Sequence, residues 1–373
     1  MRGAGCEARG ARREVRENMK IGSIELAPAF GLAPMAGMTD TAFRRLVKRR
    51  GGCGLVVTEM VSSEGLVRGI DRTLEYAEYT EEERPVSIQI FGGEPEKMAA
   101  AAQIVEGMGA DIVDVNMGCP VPKIAKHNAG CSLMREPAHA QAIITAMAKS
   151  VTIPVTVKMR AGWDENEINA PELARRMEDA GAAALTVHGR TAAQSYSGLS
   201  DWNLIDRVAG SVGIPVFGSG DCVEPSELVQ KLLDSHVSGV LVGRGALRNP
   251  WIFEQAAAVA RGEAPRDITL EERGRFLLDY IELLLHERTG EAEGFRHVAP
   301  GPGHDAEGPR RETPGVARGH DRWVINKLRA LNSWYTKGLD NGSHLRVSVN
   351  AAESIPHLRE IIAEFFSERL AAK

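Results

Sequence analysis

Between about residues 30 and 245 the chain alternates short apolar, β-branched runs with longer segments whose apolar positions recur at helical spacing. That alternation is the pattern of a parallel sheet whose strands are joined by crossover helices. Eight runs predict strands, at 31–34, 55–58, 86–91, 111–116, 154–159, 184–188, 215–218 and 239–243. Amphipathic stretches at 95–108, 137–150, 171–180 and 225–233 predict helices between them. Three of these follow an acidic residue and a proline: Glu94-Pro95, Glu136-Pro137 and Glu224-Pro225. Proline suits a first helical turn, whose N–H groups lack partners, and a nearby carboxylate faces the positive end of the helix dipole. Eight βα units without a break predict a closed (β/α)8 TIM barrel rather than an open doubly wound sheet, an α/β architecture that takes about 250 residues.

Past residue 250 the strand pattern stops. Residues 270–287, 323–335 and 354–370 read as helices with no alternating run among them, so a smaller all-helical domain is expected over 251–373. Within it, 296–320 holds five Gly and four Pro with few aliphatics. Such a segment has no apolar face to bury and is expected to be a flexible loop, with His297, His304 and His320 exposed on it. At the other end, residues 1–18 carry five Arg and three Glu but no apolar stretch, which excludes a secretory signal. They are expected as a disordered extension, with the barrel segment 19–250 beginning at Met19-Lys20-Ile21.

Composition narrows the class. At 43% hydrophobic and 25% charged residues the chain has the make-up of a globular protein, and no apolar run approaches the ~18–20 residues that span a bilayer. A cytoplasmic monomer is the expectation. The five cysteines, at 6, 53, 119, 131 and 222, are odd in number and form no C-x-x-C pair, which argues against a disulfide framework and a structural zinc site. A net charge of −5 does not announce a nucleic-acid binder, nor exclude one, because binding follows a local basic patch rather than the sum.

The candidate chemistry lies at the strand ends. Val86-Ser87-Ile88-Gln89-Ile90, Ile112-Val113-Asp114-Val115-Asn116, Val155-Thr156-Val157-Lys158-Met159-Arg160 and Leu185-Thr186-Val187-His188 all carry polar residues at or near their C-terminal ends. In a barrel those ends converge on the rim where active sites are built, so Gln89, Asn116, Lys158, Arg160 and His188 are expected around one cavity. Singly, each is as readily a strand-end residue bonded to a loop; five together favour a site. Two glycine turns, Gly218-Ser219-Gly220-Asp221 and Gly243-Arg244-Gly245-Ala246, follow the last two strands, where barrels commonly bind phosphate. Glycines let backbone N–H groups approach the oxygens, and Arg244 adds charge-assisted bonds. Finally, Asn116-Met117-Gly118-Cys119-Pro120 leads from the fourth strand into a long loop through Lys123, His127, Gly130 and Cys131. A thiol there is a nucleophile, a proton donor or inert. Residue type alone favours inert burial; position favours function for Cys119, while Cys131 reads as a spectator.

Together these segments resemble the tRNA-dihydrouridine synthases, and among them the bacterial DusB branch. The resemblance is carried by Pro34-Met35-Ala36-Gly37-Met38-Thr39-Asp40, Gln89-Ile90-Phe91-Gly92, Asn116-Met117-Gly118-Cys119-Pro120 and Lys158-Met159-Arg160. It continues through His188-Gly189-Arg190-Thr191, Tyr196-Ser197-Gly198, Asp201-Trp202, both glycine turns and Trp334-Tyr335-Thr336-Lys337-Gly338. It spans about residues 19–370 and implies an FMN-binding barrel followed by a helical tRNA-binding domain, with NADPH or NADH as reductant. Carried onto this sequence, Pro34, Met35 and Ala36 lie against the flavin and Gln89 bonds its ring edge. Lys158 stabilises the charge of the reduced ring, and Ser219, Gly220, Asp221, Gly243 and Arg244 hold the phosphate. His188 stands at the cofactor and, with Asn116, frames the uracil. The implied reaction delivers hydride from flavin N5 to C6 of a flipped-out D-loop uridine, with a proton from Cys119 to C5. A thiol is largely protonated at neutral pH and is a competent acid. Arg160, Arg190, Lys327 and Arg329 are expected on the RNA side, the basic residues of 322–346 suiting phosphate contacts. Trp334 and Tyr335 are either stacking partners for RNA or core of the helical domain.

Two other readings stay open: an FMN barrel acting on a small pyrimidine, and a tRNA-binding homologue without catalysis. A basic helical unit, for which a small substrate has no use, weighs against the first. The intact set of Asn116, Cys119, Lys158 and His188 weighs against the second.

Overall fold

The computed structural model describes residues 18–125, 128–287 and 314–367. Two short antiparallel strands come first, β1 (Met19–Ile21) and β2 (Ile24–Leu26). They are followed by β3 (Phe30–Leu32), β4 (Leu55–Val57), β5 (Val61–Ser62), β6 (Val86–Phe91), β7 (Ile112–Met117), β8 (Val155–Arg160), β9 (Ala184–His188), β10 (Val216–Ser219) and β11 (Gly239–Val242). From β6 to β11 each strand pairs in parallel with the next, β11 pairs with β3, β3 with β4 and β4 with β6. The ring therefore closes on eight strands. β5 prolongs β4 after a break at 58–60, setting Val61 opposite Ile90 of β6. The eight expected strands all form, and the helices Pro95–Gly107, Pro137–Ser150 and Pro225–Asp234 begin on the prolines that marked them. The β1–β2 hairpin and β5 carried no signal strong enough to be expected.

Successive strand residues face opposite sides of the barrel wall. Val86, Ile88, Val113, Val115, Val155, Val157, Leu185 and Val187 join the core beneath the helices. Their neighbours face the interior, which changes character along its axis. Towards the strand starts it is filled by Leu55, Ile112, Ala184, Phe217 and Leu241, which pack with Met19, Ile21 and Leu26 of the hairpin. The hairpin thus closes that end with apolar side chains. Towards the strand ends the inward positions become polar, and register sets Gln89 beside Asp114, Asn116 beside Lys158, and His188 between Arg160 and Ser219.

The C-terminal helices pack against the barrel beside this polar end. Helix Leu270–Glu287 lies on helix Thr41–Arg50, with Phe43 edge-on to Phe276 and Tyr280 at 6.1 and 6.2 Å. Tyr335 is fully buried and stacks on Phe276 at 5.6 Å, so of its two expected roles the structure assigns core. Helix Ile252–Ala260 packs on barrel helix Pro225–Asp234. Only the end of the expected loop over 296–320 is among the described residues. Residues 314–320 open the helix Pro314–Tyr335, and His320 is half-buried, 3.2 Å from the Leu285 carbonyl and stacked on Trp323. The rest of that segment, with His297 and His304, lies outside the described residues, as do residues 1–17 and His127. Among the described residues no helix is long and apolar enough to cross a membrane.

Candidate active site at the barrel mouth

The interior polar positions form a connected chain. Thr156 Oγ1 donates to Asp114 Oδ1 at 2.6 Å and Gln89 Nε2 to Asp114 Oδ2 at 2.7 Å. Asn116 Nδ2 donates to Gln89 Oε1 at 2.8 Å. Asn116 Oδ1 then accepts from the backbone N–H groups of Gly118 and Cys119, at 3.1 and 2.9 Å. The carboxamide of Asn116 therefore turns the chain out of β7 and fixes Cys119, which is half-buried at the mouth. Cys131 donates its N–H to the Cys119 carbonyl at 3.1 Å, and its thiol is buried. Asp114 went unnoticed in the sequence, although it stands two residues before Asn116 and so on the same face of the strand.

Lys158 and His188 face the same space. Burial, and then Arg160, push the Lys158 ammonium down to about 8, against the pull of Asp114. Burial raises Asp114 in turn, opposed by the bonds from Gln89 and Thr156. His188 is driven to about 2, by burial first and then by Lys158, Arg160, Arg190 and Arg244. It is neutral at physiological pH. Arg190 Nη1 lies 3.4 Å from His188 Nε2; a guanidinium only donates, so Nε2 accepts and the ring proton sits on Nδ1. Pro34 and Lys158 line one narrow interior cavity with Asp114 and Thr156.

The two arginines expected to touch substrate do something else. Arg160 is 4% exposed and donates to the carbonyls of Gly118, Thr191 and Ser195 at 2.7–2.9 Å. Arg190 is 2% exposed and donates to the carbonyls of Ser197 and Gly198 and to both oxygens of Asp221. Their charge is directed into the loops, where the sequence reading expected it on the RNA side. The sequence placed them correctly at the mouth but could not aim them.

The two glycine turns follow β10 and β11. Gly220 and Asp221 sit at φ +131° and +53°, and a Cβ on Gly220 would lie 2.2 Å from Ser200 Oγ. Asp221 takes Arg190 and the Ser200 N–H on its carboxylate, so only its backbone remains to meet an anion. A Cβ on Gly243 would lie 3.2 Å from Met35 Sδ, which sets the second turn against the 34–36 segment. Pro34 and Met35 are half-buried and Ala36 is exposed. Arg244 is one-third exposed, 3.6 Å from Asp221, with Tyr196 4.8 Å from its face.

Lys327 is held by two carboxylates. Its ammonium bonds Asp40 Oδ2 at 2.9 Å, the Gly37 carbonyl at 3.0 Å and Glu59 Oε1 at 3.4 Å. Burial pulls its pKa down, but Asp40 and Glu59 outweigh burial and hold it well above the ordinary lysine range. Glu59 also accepts the Gly37 N–H, and Tyr280 donates to Asp40 Oδ2 at 2.7 Å. Lys327 therefore clamps the Met35–Asp40 turn to the helical unit, where the sequence reading expected it on the RNA side. Arg329 is half-buried and donates to the Ala352 carbonyl at 2.9 Å, within the helical unit. Arg322 and Lys337 are the exposed cations of that helix and the turn after it, with Lys337 3.9 Å from the Trp334 ring. Asp40 and Glu59 were missed because their partner Lys327 is distant in sequence, 268 positions from Glu59.

Residues 31–303 match the family model described as dihydrouridine synthase. The chain is 37% identical to the probable tRNA-dihydrouridine synthase of Rickettsia conorii over 94% of its own length and 96% of that protein. It is 35% identical to tRNA-dihydrouridine synthase B of Xanthomonas axonopodis pv. citri over 95% of its length and 97% of that protein. Among solved structures, its fold is similar to that of histamine dehydrogenase from Rhizobium sp. 4-9, with a TM-score of 0.51 at 12% identity over 72% of this chain and 51% of the other.

Proposed function

The chain belongs to the dihydrouridine synthase family, and on that premise we propose that it reduces the C5=C6 bond of a D-loop uridine in tRNA, using FMN and NADPH or NADH. The observation that carries this reading is the pair of bonds from the Gly118 and Cys119 N–H groups to Asn116. They hold one half-exposed thiol at the end of a polar interior, beside a half-buried lysine and a neutral histidine.

When bound, FMN supplies the hydride that adds at C6 of the base. The residues fit such a group. The turns at Gly220 and Gly243 have room where a Cβ would strike Ser200 or Met35. The N–H edge of Arg244 and the backbone of Gly220 and Asp221 suit a phosphate, and Pro34 and Met35 offer an apolar wall opposite. Gln89 keeps one N–H beyond its bond to Asp114. Lys158 places a cation where negative charge develops, a contribution strengthened by burial. Cys119 donates the proton at C5, and Asn116 fixes its place. His188, with its proton on Nδ1, offers a neutral donor to a uracil carbonyl. Arg160 and Arg190 act on none of the reacting atoms; they hold the loops that shape the pocket.

The helical unit supports tRNA over a small pyrimidine, since it exposes Arg322 and Lys337. The test is incubation with NADPH and unmodified tRNA, with dihydrouridine located by mass spectrometry. Cys119→Ala should lose about 10²–10⁴-fold of the rate, the usual contribution of a positioned acid. Full activity in Cys119→Ala would refute the assignment of the acid, and a purified protein without flavin absorbance would refute the cofactor.

A further inference from the structure

The chain of hydrogen bonds inside the barrel has a direction, and its inner end is set by Asp114, to which the proposed reaction gives no part. Asp114 is buried on β7, with Gln89 of β6 beside it on one side and Thr156 of β8 on the other. A carboxyl group has no N–H to offer. Gln89 must therefore turn Nε2 towards it, at 2.7 Å, and Oε1 towards Asn116, at 2.8 Å. At the outer end the N–H groups of Gly118 and Cys119 only donate, so Asn116 must turn its carbonyl to them. Both ends demand the same direction.

That direction does not depend on the charge of Asp114. Burial raises its pKa, and a proton, when bound, has a place on Oδ1, where the Thr156 hydroxyl 2.6 Å away accepts as readily as it donates. Oδ2 accepts from Gln89 in either state. Elsewhere the Cys119 turn is held by its carbonyls, Gly118 by Arg160 at 2.7 Å and Cys119 by the Cys131 N–H at 3.1 Å; its N–H groups depend on Asn116. We infer that Asp114 is a positioning residue for both halves of the site. By holding Gln89 in one orientation it leaves the second Nε2 hydrogen for the cofactor's ring edge, and it keeps the Asn116 carbonyl on the Cys119 turn. This rests on the parts given above to Gln89 and Cys119, and adds that one buried acid sets both.

The test reads how fast iodoacetamide alkylates Cys119 in the full-length protein with FMN in excess, followed on the Cys119 peptide by mass spectrometry. FMN affinity is titrated separately. Asp114→Leu keeps a branched side chain and removes the acceptor. Alkylation should quicken about fivefold, the population change that one lost hydrogen bond allows, and FMN affinity should fall by a similar factor. Asp114→Asn keeps an acceptor for Gln89 and turns a donor to Thr156, so both readings should return to within about twofold of the wild type. Gln89→Met breaks the chain at its middle link without touching Asp114. It should speed alkylation as Asp114→Leu does, and it decides the matter if the leucine variant does not fold. Wild-type alkylation in either of these variants would overturn the inference. So would an asparagine variant as impaired as the leucine one, since the charge facing Lys158, and not the direction of the chain, would then be what matters. Alkylation needs neither turnover nor tRNA, so the two failures separate. A wild type that makes no dihydrouridine leaves the chain standing and removes the reaction, whereas variants that leave Cys119 unmoved remove the chain and spare the reaction.

Discussion

Replacing Lys327 with methionine removes one charge and keeps the length of the side chain, so it isolates the clamp on the Met35–Asp40 turn. The side chains involved are 12% (Lys327), 10% (Asp40) and 7% (Glu59) exposed. Taking one partner from a buried ion pair costs about 3–5 kcal/mol, because the other charge is left without compensation. Asp40 keeps the bonds from Tyr280 and the Phe43 N–H, and Glu59 keeps the Gly37 N–H, so the lower end, about 3 kcal/mol, is expected. The assay is urea unfolding followed by tryptophan fluorescence, with flavin affinity measured on the same samples. Because the turn faces the proposed cofactor, FMN affinity should fall about tenfold, equivalent to 1.4 kcal/mol. The pH dependence follows from the raised pKa of Lys327. A lysine raised in the folded state contributes fully below its unfolded value and loses that contribution only as pH climbs above it. The difference between wild type and variant should therefore stay constant from about pH 6.5 to about 9.5. A difference below about 1 kcal/mol, the range of an exposed pair, would refute the clamp, as would one that fades between those limits.

Two further outcomes follow from the site. Lys158 loses its proton near pH 8 in the free protein, so kcat/KM should decline above that pH, and a Lys158→Met variant should be slow with a weaker alkaline decline; a variant as fast as the wild type would remove Lys158 from the site. Gly220→Ala should purify with several-fold less flavin absorbance and an unchanged circular dichroism spectrum. The new methyl group meets Ser200 at a φ of +131°, a backbone region that costs a side chain about 1–3 kcal/mol.

The architecture was legible in the chain because its signals are local. Apolar residues two apart mark a strand, apolar residues three and four apart mark a helix, and Glu-Pro marks where three helices begin; each depends on neighbours within a turn. The glycine turns after β10 and β11 and the Asn116–Cys119 segment were legible for the same reason, since a residue at a strand end is at the mouth wherever the barrel closes. Alternation along Val113, Asp114, Val115 and Asn116 shows that there are two faces. It does not show which one lies inside, and only closure of the ring turned the polar face of β6 to β9 inward.

What the sequence could not contain is the aim of long charged side chains. Arg160, Arg190, Lys327 and Arg329 all look like cations for RNA, and all four are turned inward onto carbonyls or carboxylates. Lys327 meets Gly37 across 290 positions of chain, and Arg190 reaches Asp221 across 31. By itself the sequence determined the elements, their order and the residues that reach the mouth, through periodicities set by backbone geometry. Which of those residues face a substrate and which hold the loops was decided by tertiary structure alone, because a buried charge goes to whatever partner closure of the barrel brings within about 3 Å.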